Sequence, residues 1–150
     1  MSNQNEYDII IVGGGIVGLT AACKLSRHYS RVALLECADR VTAWRPESLY
    51  DLRVSAVNQA SVNSFAEIGI WDSIQVMRSC PYQRMTVWDP QFGGELSFDA
   101  RETSREQLGY IIENSVLQTA LSNHLATTSV RMLYGTQLNG LHAFSDNIVL

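Results

Sequence analysis

The feature that most constrains the fold is a glycine-rich segment between a short apolar run and a helical pattern. Residues 7–12 are rich in β-branched side chains, and Gly-Gly-Gly-Ile-Val-Gly follows at residues 13–18. Residues 16–29 then repeat apolar side chains at helical spacing, and residues 31–36 form a second apolar run. Strand, turn, helix and strand within about thirty residues have the size and order of a βαβ unit. We therefore predict an α/β core whose two strands are buried on both faces.

Each position in the glycine segment has a predicted role. Gly13 allows a tight turn, Gly15 lets a pyrophosphate approach the backbone, and Gly18 lets the helix pack closely on the strand. The phosphates are expected at the helix N-terminus, near the N–H groups of Ile16 and Val17 and the positive end of the helix dipole. No lysine followed by Ser or Thr occurs in this segment, which excludes a Walker phosphate loop.

Two substitutions follow from these roles. We expect Gly15→Val to block the path of the pyrophosphate and abolish retention of the dinucleotide, because only close backbone approach lets the helix N–H groups reach a phosphate. We expect Gly14 to tolerate alanine better.

Glu36 ends the second predicted strand, about 20 residues beyond the glycines. A carboxylate at this point accepts hydrogen bonds from the ribose hydroxyls of an adenosine and repels the 2′-phosphate of NADP. Together with the glycines, Glu36 predicts a dinucleotide-binding site rather than a mere tight turn. The pattern does not by itself distinguish FAD from NAD.

The rest of the chain departs from a simple repetition of strands and helices. Residues 37–53 have mixed polarity and contain Pro46, which predicts a long loop. A helix is predicted over residues 58–68, ending at Gly69. The other predicted elements are strands at 85–89 and 95–98 joined in a hairpin, a strand at 108–112, a helix over 116–125 with Ser115 as its N-cap, strands at 130–134 and 136–144, a turn at 145–147, and a strand starting at 148.

Composition excludes several classes of function. Hydrophobic residues at 46% and charged residues at 17% indicate a globular chain, and a net charge of −4 leaves no basic surface for nucleic acid. The polar N-terminal residues lack the features of a secretory signal, and the first apolar run is too short to cross a bilayer. Cys23, Cys37 and Cys80 are widely spaced, which favours reduced thiols over a disulfide or a metal site. We expect a cytoplasmic location.

Several later segments, taken with the glycines, resemble one family. They are Arg-Val-Ser-Ala-Val-Asn at 53–58, Ile-Gly-Ile-Trp-Asp at 68–72, Pro-Tyr at 81–82, Val-Trp-Asp at 87–89, Phe-Asp at 98–99 and Leu-Gly-Tyr-Ile-Ile-Glu-Asn-Ser-Val-Leu at 108–117. In this order, from residue 7 to about residue 125, the chain resembles the ubiquinone-biosynthesis hydroxylases (the UbiH/UbiF/VisC family). These are FAD-dependent aromatic monooxygenases with the p-hydroxybenzoate hydroxylase fold.

The resemblance implies roles for individual residues. The glycine segment binds the FAD pyrophosphate, and Glu36 binds the adenosine ribose. Arg53 matches the arginine that reaches the cofactor, and a guanidinium can donate two hydrogen bonds to a pyrophosphate. A surface arginine is the alternative. Asn114 falls where related enzymes place Arg or Gln against the flavin, and a helix-capping Asn is the alternative.

The predicted fold class is therefore α/β: a Rossmann-like βαβ FAD-binding domain with the start of an inserted β-rich substrate domain. We place the FAD-binding βαβ part at residues 1–80, the β-hairpin that begins the substrate domain at 81–107, and the return to the FAD-binding domain at 108–150. Family members are longer and carry downstream Asp-Gly and Gly-Asp-Ala motifs. We therefore expect the chain to be truncated at its C-terminus and, on its own, to bind FAD poorly and hydroxylate nothing.

By the same resemblance, the full-length protein uses FAD, O₂ and an electron donor such as NAD(P)H to hydroxylate a polyprenylated phenol or benzoquinol in ubiquinone biosynthesis. The resemblance also implies peripheral association with the inner membrane or with a ubiquinone-biosynthesis complex. The catalytic residues are unknown, because no acid–base pair can be assigned. Two other functions stay open: an NAD-linked dehydrogenase, which the hairpin after Arg53 disfavours, and a non-catalytic dinucleotide-sensing module.

Overall fold

The computed structural model describes residues 6–39, 44–91, 93–144 and 148–149. The chain divides into two compact units, Met1–Ala43 with Gln118–Leu150 and Trp44–Leu117. This division does not test the three domain boundaries predicted from the sequence, which stay predictions.

Ten strands and four helices are present in the described part of the chain. In order they are β1 (Ile9–Val12), α1 (Ile16–Leu25), β2 (Val32–Leu35), β3 (Val54–Asn58), α2 (Gln59–Ile68), α3 (Trp71–Met77), β4 (Cys80–Tyr82), β5 (Arg84–Trp88), β6 (Glu95–Asp99), a 3-10 turn (Ala100–Thr103), β7 (Gly109–Glu113), α4 (Asn114–Leu125), β8 (Arg131–Leu133), β9 (His142–Ala143) and β10 (Ile148–Val149).

The first unit contains a parallel sheet with the strand order β1-β2-β8. Helix α1 connects β1 to β2 and packs on both, so the predicted βαβ unit is confirmed. Every residue of β2 is buried because the strand is central, as predicted. The same prediction is wrong for β1, where Ile10 is 36% and Val12 54% exposed. Within the described residues, strand β1 has a neighbour on one edge only and one of its faces is uncovered.

The second unit contains a separate antiparallel sheet with the order β3-β7-β4. Strand β3 pairs with β7 along its whole length, from Val54 opposite Glu113 to Asn58 opposite Gly109. The sequence did not predict β3, β4 or α3. Ser55 and Ala56 have weak strand propensity, so the pairing with β7 makes this segment a strand.

Local signals placed the next elements correctly. Helix α2 begins after Asn58, whose side chain accepts a hydrogen bond from the Ser61 N–H at 3.0 Å. It ends at Gly69, which has a left-handed φ of 91°. Strands β5 and β6 form the predicted antiparallel hairpin, with Arg84 opposite Asp99.

The C-terminal predictions were met in part. Helix α4 begins at Asn114, so Ser115 lies within its first turn and is not its N-cap. The acceptor for the Ser115 N–H is the Asp51 carboxylate at 3.3 Å, from a loop distant in sequence. The strand predicted at 130–134 is confirmed, but of 136–144 only His142–Ala143 is a strand. The turn predicted at 145–147 lies outside the described residues.

No helix in the described part of the chain has both the length and the apolar character needed to span a membrane.

Candidate functional site

The glycine loop, residues 13–18, connects β1 to α1. Gly13 has a φ of +104°, a left-handed conformation that side chains disfavour, and its N–H donates to the Leu35 carbonyl of β2 at 2.8 Å. A Cβ built on Gly18 would collide with the carbonyl oxygen of Gly13. The tight turn at Gly13 and the close approach at Gly18 are therefore both present, and the first turn of α1 lies directly against the loop.

Gly15 differs from these two glycines because neither its backbone conformation nor a close neighbour among the described residues requires a glycine there. It is the N-cap of α1 with φ −71° and ψ 177°, which any residue can adopt, and a Cβ there would meet no atom within 4 Å. No side chain of the described residues caps α1 at Gly15, and its first turn carries no acid. Among the described residues, the space before the helix N-terminus is thus open, and the helix N–H groups and dipole suit an anion such as a phosphate.

Glu36 is bound to the glycine loop itself. Its Oε2 accepts a hydrogen bond from the Gly14 N–H at 2.6 Å, and its Oε1 accepts from the Ala38 N–H at 2.8 Å and from the Cys37 thiol at 3.4 Å. The bonds from Ala38 and then Gly14 hold the pKa of Glu36 below its usual value. Main-chain donors thus fix the orientation of the Glu36 carboxylate.

The expectation for Gly14 was wrong. A Cβ at Gly14 would lie 2.9 Å from the Glu36 Oε2 and 3.0 Å from the Glu36 Cβ, whereas Gly15 has open space. The sequence pattern gives predicted roles to Gly13 and Gly15 and none to Gly14. The fold makes it a contact residue, because the end of β2 brings Glu36 against it.

Arg53 and Asn114 lie together in the second unit, at the end of the β3–β7 pair. The Arg53 carbonyl accepts a hydrogen bond from the Asn114 N–H at 2.9 Å, and the Arg53 N–H donates to the Asp51 Oδ1 at 2.9 Å. The Arg53 side chain is exposed and makes no ion pair within the described part of the chain. Asn114 is the first residue of α4, and its Oδ1 accepts from the Ser55 hydroxyl at 2.6 Å. Asn114 is therefore not a capping residue.

Sequence reasoning missed three residues next to Arg53. Glu113 is only 5% exposed, and its carboxylate accepts from the Arg78 guanidinium at 2.9 Å and from the Asp51 N–H at 2.7 Å. Asp51, Arg78 and Glu113 lie far apart in the sequence, so only the fold shows that they contact one another. The structure thus forms two clusters, the glycine loop with Glu36 in one unit and Arg53 with Asn114 in the other.

A comparison with protein families decides the class of ligand. The sequence profile of a family described as FAD binding domain matches residues 6–148, which is nearly the whole chain. The chain belongs to this FAD-binding domain family. Its βαβ unit, its glycine loop and Glu36, which directly follows β2, are therefore parts of a Rossmann-like FAD-binding fold, as predicted.

Two curated relatives match the chain over most of its length. The chain is 38% identical over 147 residues to the 3-demethoxyubiquinol 3-hydroxylase of Escherichia coli (strain K12), a match that covers 97% of this chain and 37% of that protein. It is 35% identical over 144 residues to the mitochondrial ubiquinone biosynthesis monooxygenase COQ6 of Danio rerio, covering 91% of this chain and 30% of that protein. The chain thus spans about a third of the length of these relatives.

Solved structures agree on the fold of this FAD-binding domain family. The p-nitrophenol 4-monooxygenase PnpA of Pseudomonas putida DLL-E4 superposes with a TM-score of 0.68 at 18% identity, covering 95% of this chain and 34% of that one. The flavin-dependent monooxygenase PieE, solved with FAD and substrate, gives a TM-score of 0.67 at 20% identity, covering 95% of this chain and 27% of that one. At these identities the likeness establishes the fold alone.

Proposed function

We propose that this chain is the FAD-binding part of an aromatic-ring monooxygenase that hydroxylates a polyprenylated phenol or benzoquinol in ubiquinone biosynthesis. The observation that carries the proposal is the identity of 38% over 97% of the chain to a protein named 3-demethoxyubiquinol 3-hydroxylase. The COQ6 protein of Danio rerio, also named for ubiquinone biosynthesis, supports the same assignment.

The residues fit the ADP half of FAD. Gly15 leaves the front of α1 open, so the N–H groups of Ile16 and Val17 are proposed to bind the pyrophosphate. Gly13 and Gly18 shape the loop that permits this approach. When bound, FAD supplies the redox chemistry with O₂ and with NAD(P)H or another reductant.

The other proposed contacts involve charge and hydrogen bonding. Glu36, already oriented by Gly14 and Ala38, is proposed to accept from the ribose hydroxyls. Arg53 and Asn114 contact the same cofactor, Arg53 with an exposed guanidinium that suits a pyrophosphate. The catalytic groups and the polyprenyl-binding residues are not assigned to this chain. Association with the inner membrane or with a ubiquinone-biosynthesis complex is proposed on the resemblance alone.

The test uses the purified full-length protein. Absorbance at the flavin bands reports the cofactor, and consumption of NAD(P)H with and without a prenylated phenol, followed by mass spectrometry of the product, reports hydroxylation. We expect bound FAD and a product heavier by one oxygen atom. Bound NAD instead of flavin would identify a dehydrogenase, and a flavoprotein with no phenol-dependent product would identify a sensing module.

A pair of glycine variants connects the activity to the proposed site. Gly15→Val is expected to remove bound FAD while the protein stays folded, because the new side chain enters space that the protein leaves empty. Gly94→Val is the matched control, since a Cβ at Gly94 in the hairpin loop also meets no atom within 4 Å. Full flavin occupancy in Gly15→Val would contradict the assignment of the pyrophosphate to this loop.

A further inference from the structure

The side chain of Arg78 contacts several residues of the segment that leads to Arg53, here called the arginine loop (residues 44–53). The Arg78 guanidinium lies 4.3 Å from the ring centroid of Tyr50 and 5.3 Å from that of Trp44. Its Nη2 also donates to the carbonyl oxygens of Pro46 and Ser48, both at 3.2 Å. A planar guanidinium with several donors can stack on rings and bond to carbonyls at the same time, and an ammonium group cannot.

The same guanidinium pairs with a buried carboxylate. Arg78 Nη1 lies 2.9 Å from the Glu113 Oε1, and the side chains are 24% and 5% exposed. A buried carboxylate is stable only when it is paired and hydrogen-bonded. The second Glu113 oxygen accepts from the Asp51 N–H at 2.7 Å, which connects the pair to the far end of the arginine loop.

From Asp51 the contacts continue to the backbone of Arg53. Asp51 Oδ1 accepts from the Arg53 N–H at 2.9 Å, and Asp51 Oδ2 accepts from the Ser115 N–H at 3.3 Å. The Arg53 carbonyl accepts from Asn114, the neighbour of Glu113 in the chain. Both backbone polar groups of Arg53 are therefore bonded to residues that the Arg78–Glu113 pair connects.

Hydrophobic burial contributes little to the order of this loop. Leu49 is 92% and Leu52 100% exposed, and Tyr50 is 79% exposed. Residues 44–53 contain no helix or strand. Ordering such a segment costs backbone entropy at every residue, so polar and stacking contacts must offset most of that cost. Arg78 makes more of these contacts with the loop than any other side chain described here.

We propose that Arg78 is a positioning residue for cofactor binding, which acts by ordering the arginine loop and thereby presenting the Arg53 guanidinium to FAD. This inference rests on the proposed function, in which Arg53 contacts FAD. Arg78 itself has its guanidinium occupied by Glu113, two carbonyls and two rings, and needs no contact with the cofactor.

A double-mutant cycle on FAD affinity in the full-length protein tests the proposal. Arg53→Met and Arg78→Met are each expected to weaken FAD binding about tenfold, the value of a lost charge-assisted hydrogen bond. The double variant is expected to bind no more weakly than Arg53→Met, because Arg78 acts only through Arg53. Arg78→Lys is expected to recover part of the loss, since it keeps the charge beside Glu113. Arg84→Met, which removes an exposed arginine paired with Asp99 on the hairpin, is the control with unchanged affinity.

A second variant distinguishes weaker FAD binding caused by loss of positioning from weaker binding caused by destabilisation of the protein. Arg78→Met combined with Glu113→Gln removes both charges and avoids an unpaired buried carboxylate. This variant is expected to unfold at nearly the wild-type denaturant concentration and still to bind FAD about tenfold more weakly.

Three other outcomes would contradict the inference or the proposed function. If the effect of Arg78→Met persists unchanged in the Arg53→Met background, Arg78 has only a structural role and the inference is wrong. If Arg53→Met binds FAD normally, the assignment of Arg53 in the proposed function fails, and the inference fails with it. If the wild-type protein binds no FAD, the proposed function itself is wrong.

Discussion

The glycine loop and the arginine loop hold their proposed ligand-binding groups in different ways. The glycine loop uses main-chain atoms whose positions follow from its own residues: a positive φ at Gly13 and the absence of a Cβ at Gly18. The arginine loop offers the Arg53 side chain, and its backbone is ordered by Arg78 and Glu113. These two residues lie 25 and 60 positions after Arg53 in the sequence. The first arrangement is therefore visible as a motif, and the second is not.

The difference also predicts how each region responds to mutation. At Gly18 of the glycine loop, a single added methyl meets the Gly13 carbonyl oxygen, which cannot move far, so the loss is steep. In the arginine loop the contacts are shared among several hydrogen bonds and two rings, so single losses are smaller and depend on each other. The following experiments test this comparison, from the largest expected effect to the smallest.

Gly18→Ala is expected to have the largest effect. Its methyl group would collide with the Gly13 carbonyl oxygen, so the free energy of unfolding should fall by about 3 kcal/mol and bound FAD should be lost. Gly15→Ala is the matched control, because its Cβ meets no atom within 4 Å and its stability should stay within about 1 kcal/mol of wild type. Denaturant unfolding of both variants measures the difference. Equal stability of the two would show that the loop relaxes away from α1 at little cost.

Substitution of Glu36 is expected to have the next largest effect, because Glu36 accepts hydrogen bonds from the loop and, in the proposed function, from the ribose of FAD. Glu36→Gln keeps one acceptor oxygen for the Gly14 and Ala38 N–H groups, and Glu36→Ala keeps none. FAD affinity should therefore fall about tenfold in Glu36→Gln and about a hundredfold in Glu36→Ala. Titration with FAD, followed by flavin fluorescence, measures this, with the exposed Glu95→Gln of the hairpin as control. Equal affinities of wild type and Glu36→Ala would remove Glu36 from the site.

Asn58→Ala tests whether local signals in the second unit act on stability alone. Asn58 caps α2 through a hydrogen bond from the Ser61 N–H, and the loss of such a cap costs about 1 kcal/mol. The free energy of unfolding should fall by that amount, while FAD affinity of the folded protein should not change. Weaker FAD binding at full folding would show that α2 contributes to the orientation of Arg53 through β3.

The smallest expected effect is a change in the stability contributed by Glu36 at acid pH. Hydrogen bonds from Ala38 and Gly14 lower the pKa of Glu36 below its ordinary 4.5, so its ionised form favours the folded state. This contribution is fully present above the ordinary pKa and is lost as the pH falls through the lowered folded value. The stability difference between wild type and Glu36→Gln should therefore shrink as the pH is lowered below 4.5. A constant difference at all pH values would show that the charge of Glu36 does not matter to the loop.

Much of the fold could be predicted from local sequence. The βαβ unit, the β5–β6 hairpin and α2 between Asn58 and Gly69 have caps, turns or periodicity within their own residues. The missed elements lack such signals. Strand β3 contains Ser55 and Ala56 and depends on pairing with β7, and α3 has only seven residues.

The sequence by itself determined the dinucleotide-binding unit and selected Gly13, Gly15, Gly18 and Glu36 as its candidate ligand-binding residues. It could do so because turn geometry, open space at a helix N-terminus and a strand-end carboxylate depend on neighbouring residues and their order.

Only the tertiary structure decided the other features of the site. It brought Glu36 against Gly14, made Asp51 the acceptor for the first turn of α4, and left one face of β1 exposed. It also placed Arg78 and Glu113 where they order the loop before Arg53. These contacts join residues that lie far apart in the chain, and their energies depend on burial and on partners that no local pattern specifies.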